Sequence, residues 1–449
     1  MNHSSATALS GPAPHGPVAR LAKRLITSRL SGLHRGRVTL CDACGVATFG
    51  EPDELQARLQ VNRPSFYRHA VCGGTLAVAE TYLRGDWDCD DLTSLFRIFL
   101  RNRETAGRLD GMLARAAHFG HRLFHVWHAN SREGSRRNIS AHYDLGNEFY
   151  RLWLDETLAY SCGIFPAGDS TMREASEEKF DRVCRKLALR PGDEVLEIGT
   201  GWGGFALHAV ERYGCRVTTT TISREQLQLA RERIVAAGLE DRIQLLKRDY
   251  RDLRGLFDKL VSIEMIEAVG HRYLDQFFGQ CGRLLRPDGS LLLQAIVMPE
   301  RGYAAYLDSV DFIQRYIFPG GCLPSLAAIL ESVGRTTDLR LVHAEDFAPH
   351  YAETLRRWRT AFHERSAEVR ELGHSEQFLR LWNYYLSYCE AAFEERYIGV
   401  MQLQFDKPEC RRDPATLSSR AAGLPGPAVV AGAGRPPQEP AWQAVAVHE

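Results

Sequence analysis

The residues with the clearest chemical potential lie in one run, Glu194-Val-Leu-Glu-Ile-Gly-Thr-Gly-Trp-Gly-Gly-Phe205. An apolar strand leads into a glycine-rich turn, and Phe205-Ala-Leu-His-Ala-Val210 continues as a helix. That is the context in which such a turn binds a nucleotide-like ligand. Gly199, Gly201 and Gly203 let the backbone pass close to a ligand and let the helix approach the sheet. A glycine triad alone also fits a dinucleotide-binding dehydrogenase. Glu197, two residues before the first glycine, favours another ligand: a carboxylate there repels a pyrophosphate, but it can face the positive amino-acid or sulfonium part of S-adenosylmethionine. No metal site is expected: the eleven cysteines are scattered along the chain, and Cys41-Asp-Ala-Cys44 is their one CxxC pair.

Further stations follow at the ends of successive strands. The second strand, Arg216-Val-Thr-Thr-Thr-Thr-Ile222, runs into Ser223-Arg-Glu-Gln226 and lacks the acidic residue that usually takes the ribose hydroxyls. Gln226 stands in for it. After the third strand, Ile243-Gln-Leu-Leu246, Asp249 and Tyr250 are placed to hold an adenine amino group and flank its ring. A fourth strand covers 259–263, and a fifth covers 290–297 after the turn Arg286-Pro-Asp-Gly289.

The elements that must position these residues alternate strand and helix from 138 to 408, the pattern of a doubly wound parallel sheet. Before it, strand-like runs at 37–41 and 74–78 and a helical stretch at 91–100 read as a small α+β domain. Residues 106–137 read as a helix ending in the polar Ser131-Arg-Glu-Gly-Ser-Arg-Arg137, the domain connection. Domains are thus expected at 18–137 and 138–408. The Ser/Ala/Pro/Gly-rich 1–17 and the Pro/Gly/Ala-rich 409–449 read as disordered. Length alone suggests two or three domains for 449 residues.

The charge totals balance, 56 Lys and Arg against 56 Asp and Glu, so no global excess recruits nucleic acid. No secretory signal opens the chain, which together with the unpaired cysteines points to a reducing cytosol. Apolar runs such as 291–297 are strand-sized, far short of the roughly 20 residues that span a bilayer. Residues 18–38 are basic and carry Val18, Leu21, Leu25 and Ile26 at helical spacing. This segment fits either a helix lying on anionic lipid or a surface helix docked on the first domain.

A resemblance sharpens these readings. Asn138-Ile-Ser-Ala-His-Tyr-Asp-Leu-Gly-Asn147, Tyr160-Ser-Cys-Gly163, the turn Gly199 to Gly204, Thr221-Ile-Ser-Arg-Glu-Gln226, Met265-Ile-Glu267 and Tyr316-Ile-Phe-Pro-Gly-Gly-Cys-Leu-Pro-Ser325 together resemble the cyclopropane-fatty-acyl-phospholipid synthase family, which includes the mycolic-acid cyclopropane synthases. The likeness covers 138 to about 405, and 39–102 is similar more loosely to the family's smaller N-terminal domain. It implies a class I methyltransferase fold, α/β and Rossmann-like with a mostly parallel seven-stranded sheet, preceded by a small α+β domain. It also implies that Tyr160, Ser161, the glycine turn, Thr221, Ser223, Gln226, Asp249 and Tyr250 line the S-adenosylmethionine site.

The reaction implied adds the methyl carbon of S-adenosylmethionine across a cis double bond of an unsaturated phospholipid acyl chain, giving a cyclopropane. An alkene is a weak nucleophile, so the carbons must be held in line in a site without water. Aromatic faces can stabilise the carbocation. Tyr303, Tyr306, Phe312, Tyr316 and Phe318 are candidates for that, or for ordinary core. The resemblance further implies a bound bicarbonate as base, held by Cys162, Glu267, the backbone of Ile296 and Tyr351. The remaining ligand is often His in the family and is Gln294 here, which holds but does not titrate. Glu264 stands where Gly often does and adds a carboxylate near Glu267. These departures leave a methyl-branched or methylene product, or a catalytically silent lipid-binding relative, as alternatives. Cys389 matches a cysteine treated as an active-site residue in the family and equally fits an inert helical core thiol. The resemblance places the enzyme in the cytoplasm, peripheral at the inner membrane surface, with a homodimer compatible with that role.

Overall fold

The computed structural model describes residues 16–103, Gly134 and 145–412. The readings for 1–15, for most of 106–137, for the first seven residues of the 138–147 motif and for 413–449 lie outside the described residues. The described residues form two compact units, one made of 16–103 with 375–391 and the other of 145–374 with 392–412.

In the first unit, α1 (Pro17–Leu30) precedes strands β1 (Arg37–Asp42), β2 (Gly45–Gly50) and β3 (Gln56–Val61), helix α2 (Ser65–Leu83), β4 (Trp87–Cys89) and α3 (Leu92–Arg101). The sheet order is β2-β1-β3-β4, with β1 and β3 parallel and the other pairs antiparallel. Pro17, read as the end of a disordered segment, instead heads α1, where its missing N–H costs nothing. The strand expected at 74–78 is helical: it lies within α2, which kinks at Gly74 (φ 60°). A short apolar run cannot be told from a buried helix by periodicity, and here Ala79, Tyr82 and Leu83 are buried on one helical face. Residues 375–391, which the sequence placed with the second domain, group here. Arg380 donates to the carbonyls of Tyr82 and Trp87 at 2.6 and 2.8 Å, and Asn383 donates to the Tyr82 hydroxyl.

The second unit opens with α4 (Asn147–Arg151) and α5 (Met172–Leu187), the latter fixed by a capping box in which Thr171 and Glu174 bond reciprocally. Then come β5 (Glu194–Ile198), α6 (Gly204–Tyr213), β6 (Arg216–Thr221), α7 (Arg224–Ala236), β7 (Ile243–Lys247), β8 (Phe257–Ile263), α8 (Leu274–Leu284), β9 (Leu285–Val297), α9 (Glu300–Leu307), α10 (Leu326–Thr336), β10 (Arg340–Asp346), α11 (Ala348–Glu364), α12 (Ser366–Glu371), α13 (Glu376–Glu394, mostly in the first unit) and β11 (Gly399–Asp406). β9 begins at Leu285, not Ser290, because Leu285 pairs with Phe257 across an irregularity.

The seven strands run in the order β10-β11-β9-β8-β5-β6-β7, and β11 is the one antiparallel strand. The central strands are buried because helices cover both faces. Val195, Val217 and Val261 pack under Phe180, Phe205 and Ala209, while Leu196, Leu260 and Leu293 pack under Phe277, Phe278 and Ile329. Residues 409–412, read as part of the tail, hold to the sheet: Arg412 binds the Asp406 carboxylate, and the Glu409 N–H donates to the Pro287 carbonyl. Among the described residues no helix is long and apolar enough to cross a membrane.

Candidate active site

Strand order reverses between β5 and β8, so the loops after these neighbouring strands diverge and leave a crevice at their carboxyl ends. The glycine turn follows β5. Gly199, Gly201 and Gly203 all have positive φ (104°, 52° and 86°), conformations costly for a side chain. A Cβ on Gly199 would press on Met265 at 3.2 Å, and one on Gly204 would meet the Thr157 carbonyl at 2.9 Å. The Gly199 and Thr200 N–H groups both donate to the Thr220 carbonyl, which ties the turn to β6.

Glu197 lies one residue before the end of β5. It is 3% exposed, and its Oε2 accepts from the Thr219 hydroxyl at 2.6 Å. Burial lifts its carboxyl to about 8, with the Thr219 bond pulling the other way. A cation bound beside it would favour its ionised form. At the next strand end, Thr221 donates to the Gln226 carboxamide at 2.8 Å while Ser223 caps α7, so Thr221, Ser223 and Gln226 form one buried cluster. Asp249 is also buried, but both of its oxygens face the Arg251 guanidinium at 2.8 and 2.6 Å. An adenine amino group there would meet only the remaining lone pairs. Tyr250 packs edge-on against Phe277 with centroids 5.4 Å apart. The residues present therefore fit S-adenosylmethionine: a buried carboxylate for its positive end and a close-approach turn.

After β8 the chain places Glu264 in the left-handed region (φ 49°), sparsely populated for any side chain but glycine. Such strain persists where the surroundings over-determine it. They do so here: Glu264 Oε1 accepts from the Cys162 N–H at 2.9 Å and from Gln294 Nε2 at 2.8 Å, and its Oε2 accepts from the Tyr351 hydroxyl at 2.6 Å. Gln294 is in turn oriented by Gln402 at 3.0 Å. Glu267, three residues on, accepts the Ile296 N–H on Oε1 at 2.6 Å, while its buried Oε2 has no partner among the described residues. Burial, then repulsion from Glu264, raises Glu267 to about 8. Burial also raises Glu264, opposed by its three hydrogen bonds and the Lys179 charge.

These contacts correct one expectation. Cys162, Gln294 and Tyr351 converge, but on the Glu264 carboxylate, so the donors meant for a bicarbonate are already engaged. The residues present do not fit that added ion. The Cys162 thiol, buried and near Glu264, is held well above the usual thiol range and is no thiolate. Cys389 is half-buried on α13 within the first unit.

Sequence reasoning missed two groups. Tyr150, Trp153 and Trp358 form a box of rings around Tyr160, itself expected at the cofactor site, at centroid distances of 5.3–5.6 Å. Of the five aromatics named for a cation, Phe318 lies 6.4 Å from Tyr160 between ring centroids, while Tyr303 stacks on Tyr306 and Phe312 lies against Tyr316. The dense aromatics of 149–160 were the available signal. Lys179, fully buried on α5, was also missed, because a lysine inside a helical pattern reads as surface.

Residues 130–403 match the family model described as mycolic acid cyclopropane synthetase. The chain belongs to this family. It is thereby an S-adenosylmethionine-dependent methyltransferase of the cyclopropane-synthase type, with the class I fold. It is 38% identical over 406 residues to the tuberculostearic acid methyltransferase UfaA1 of Mycobacterium tuberculosis, covering 87% of this chain and 92% of that one. To the cyclopropane-fatty-acyl-phospholipid synthase of Escherichia coli it is 35% identical over 375 residues, 82% and 92% of the two chains. The solved mycolic acid cyclopropane synthase CmaA1, complexed with SAH and CTAB, superposes with a TM-score of 0.57 at 33% identity, covering 61% of this chain and 98% of that one.

Proposed function

We propose that the protein transfers the methyl carbon of S-adenosylmethionine to the cis double bond of an unsaturated phospholipid acyl chain and closes a cyclopropane, with Glu264 as proton acceptor. The observation that carries this reading is the Glu264 carboxylate, held in left-handed backbone by Cys162, Gln294 and Tyr351 beside Glu267. S-adenosylmethionine supplies an electrophilic methyl group when bound. Glu197 faces its positive end, the glycine turn sets its depth, and Thr221, Ser223, Gln226, Asp249, Tyr250, Tyr160 and Ser161 line the rest. The aromatic box around Tyr160 excludes water and offers ring faces to the cationic acyl carbon. Glu264 takes a proton from the transferred methyl, and the freed C–H electron pair closes the ring. Glu267 and the Ile296 N–H fix the opposite wall. Cys162 serves through its N–H.

The relatives' names support a fatty-acyl substrate, and α1 supports collection from a membrane surface. That helix buries Ala22 and Leu30 and pairs Lys23 with Asp42, yet leaves Val18, Leu21 and Leu25 exposed among Arg20, Arg24 and Arg29. This is the amphipathic pattern that lies on anionic lipid.

A second reading, a methylene or methyl-branched product, is favoured by the likeness to a tuberculostearic acid methyltransferase and by Gln294 and Glu264 themselves. The test is gas-chromatographic mass spectrometry of fatty esters from cis-monounsaturated phospholipid vesicles incubated with the protein and S-adenosylmethionine. A product one methylene heavier that resists mild hydrogenation is the ring. One that takes up two hydrogens is the methylene compound, and one already two hydrogens heavier is the saturated branch. Absence of any heavier ester sinks the reading.

A further inference from the structure

Lys179 has no part in the chemistry described so far, yet it is 0% exposed on α5. Its Nζ donates to the Ser161 hydroxyl at 2.7 Å and lies 4.6 Å from the Phe180 ring centroid. An ammonium group is rarely buried unless opposite charge compensates it. The charged and titratable groups that face it are Glu264, Asp155 and the Cys162 thiol. Asp155 is already committed to the Ser176 hydroxyl at 2.8 Å and to the Thr157 N–H at 2.7 Å. The Cys162 thiol is kept neutral by burial. Of the two carboxylates Glu264 acts more strongly on Lys179, and the Ser161–Cys162 segment links them, Ser161 bonded to the lysine and the Cys162 N–H to Glu264; around Glu264 stand the neutral donors Tyr351 and Gln294, with Glu267 as the repelling neighbour. The same lysine holds Ser161, the residue next to the N–H that binds Glu264.

We propose that Lys179 is a positioning residue that supplies the positive charge for the Glu264 carboxylate and clamps the 160–163 segment over the site. This rests on the reading of Glu264 as proton acceptor. Without the lysine, two carboxylates crowd one enclosed site, and both then hold protons near neutral pH.

The experiment compares the full chain with Lys179→Met, which keeps length and removes charge, and Lys179→Gln, which can still donate to Ser161. Infrared spectra at neutral pH are expected to gain a carbonyl band of a protonated carboxylic acid in both variants, and to lose it when Glu264→Gln is added. The acid limb of the methylation rate is expected to move up by about one to three pH units, the range an opposite charge imposes on a neighbouring carboxyl. Lys179→Gln, with the Ser161 bond retained, should show the same shift. Unchanged carboxyl bands and an unmoved limb in a folded variant overturn the proposal, even if the rate falls equally at every pH. The infrared readout needs no substrate, so a wild-type protein that methylates nothing would count against the function while leaving Lys179 decided by the bands.

Discussion

Tyr351 donates its phenol hydrogen to Glu264 Oε2 across 2.6 Å, joining the start of α11 to the loop after β8. The bond stabilises the charged form of the carboxylate. Tyr351→Phe removes it while the ring keeps its stack on Phe393 at 4.3 Å. A hydrogen bond to a charged group is worth about 1.5–3 kcal/mol, so the rate should drop about 10- to 100-fold at neutral pH. It should recover in part at higher pH, where Glu264 ionises unaided. A pH profile of product formation checks both halves.

Glu264→Gln keeps the shape and removes the base, and should lose about 100- to 10,000-fold in rate, the usual worth of a positioned general base. Glu264→Gly does something different. It relieves the left-handed backbone and exposes the Cys162 N–H, Gln294 and Tyr351 donors together. Added bicarbonate or formate should restore activity to Glu264→Gly but not to Glu264→Gln, and the wild type should not respond to bicarbonate. A wild type that requires bicarbonate would contradict Glu264 as the base.

Glu197 is held at about 8, above its ordinary 4.5, so the free protein keeps it protonated at neutral pH. Only the ionised form attracts a cation. S-adenosylmethionine binding should therefore release a proton, and affinity should rise with pH up to about 8 and level off above it. Calorimetry in two buffers of different ionisation enthalpy measures the proton, and Glu197→Gln should abolish it. The same displacement means the native state binds more protons than the unfolded chain between 4.5 and about 8, so this group's effect on stability becomes less favourable as pH rises through that window.

Arg20 and Arg24 are exposed on α1, and each basic residue near an anionic surface contributes about 1 kcal/mol. Arg20→Ala with Arg24→Ala should weaken binding to phosphatidylserine-containing vesicles about 30-fold. The thermal midpoint should not move, since neither side chain is buried. Co-sedimentation at low and at high salt reports the loss, which should vanish in high salt.

The strand-end half of the candidate site is written in short stretches of chain. Glu197, the glycine turn, and the 221–226 and 249–250 stations each follow a strand they can be counted from, because a parallel sheet places consecutive strand ends at one edge. Local pattern therefore determined the fold class, the crevice at the strand ends and the buried carboxylate beside it. The half gathered around Glu264 was only partly legible. Gln294 and Glu264 stood out as unusual types, but that they bond to each other could not be read along the chain, since Glu264 gathers Cys162 from 102 residues before it and Tyr351 from 87 residues after it. Nor could α2 be told from a strand at 74–78, or α13 be assigned to the first unit, because burial decided both. Lys179 looked like any helical lysine until packing enclosed it. Sequence thus set which groups were available and where each strand delivered them. Only tertiary structure decided which charges share one enclosed volume, because that depends on distances the backbone closes over a hundred residues.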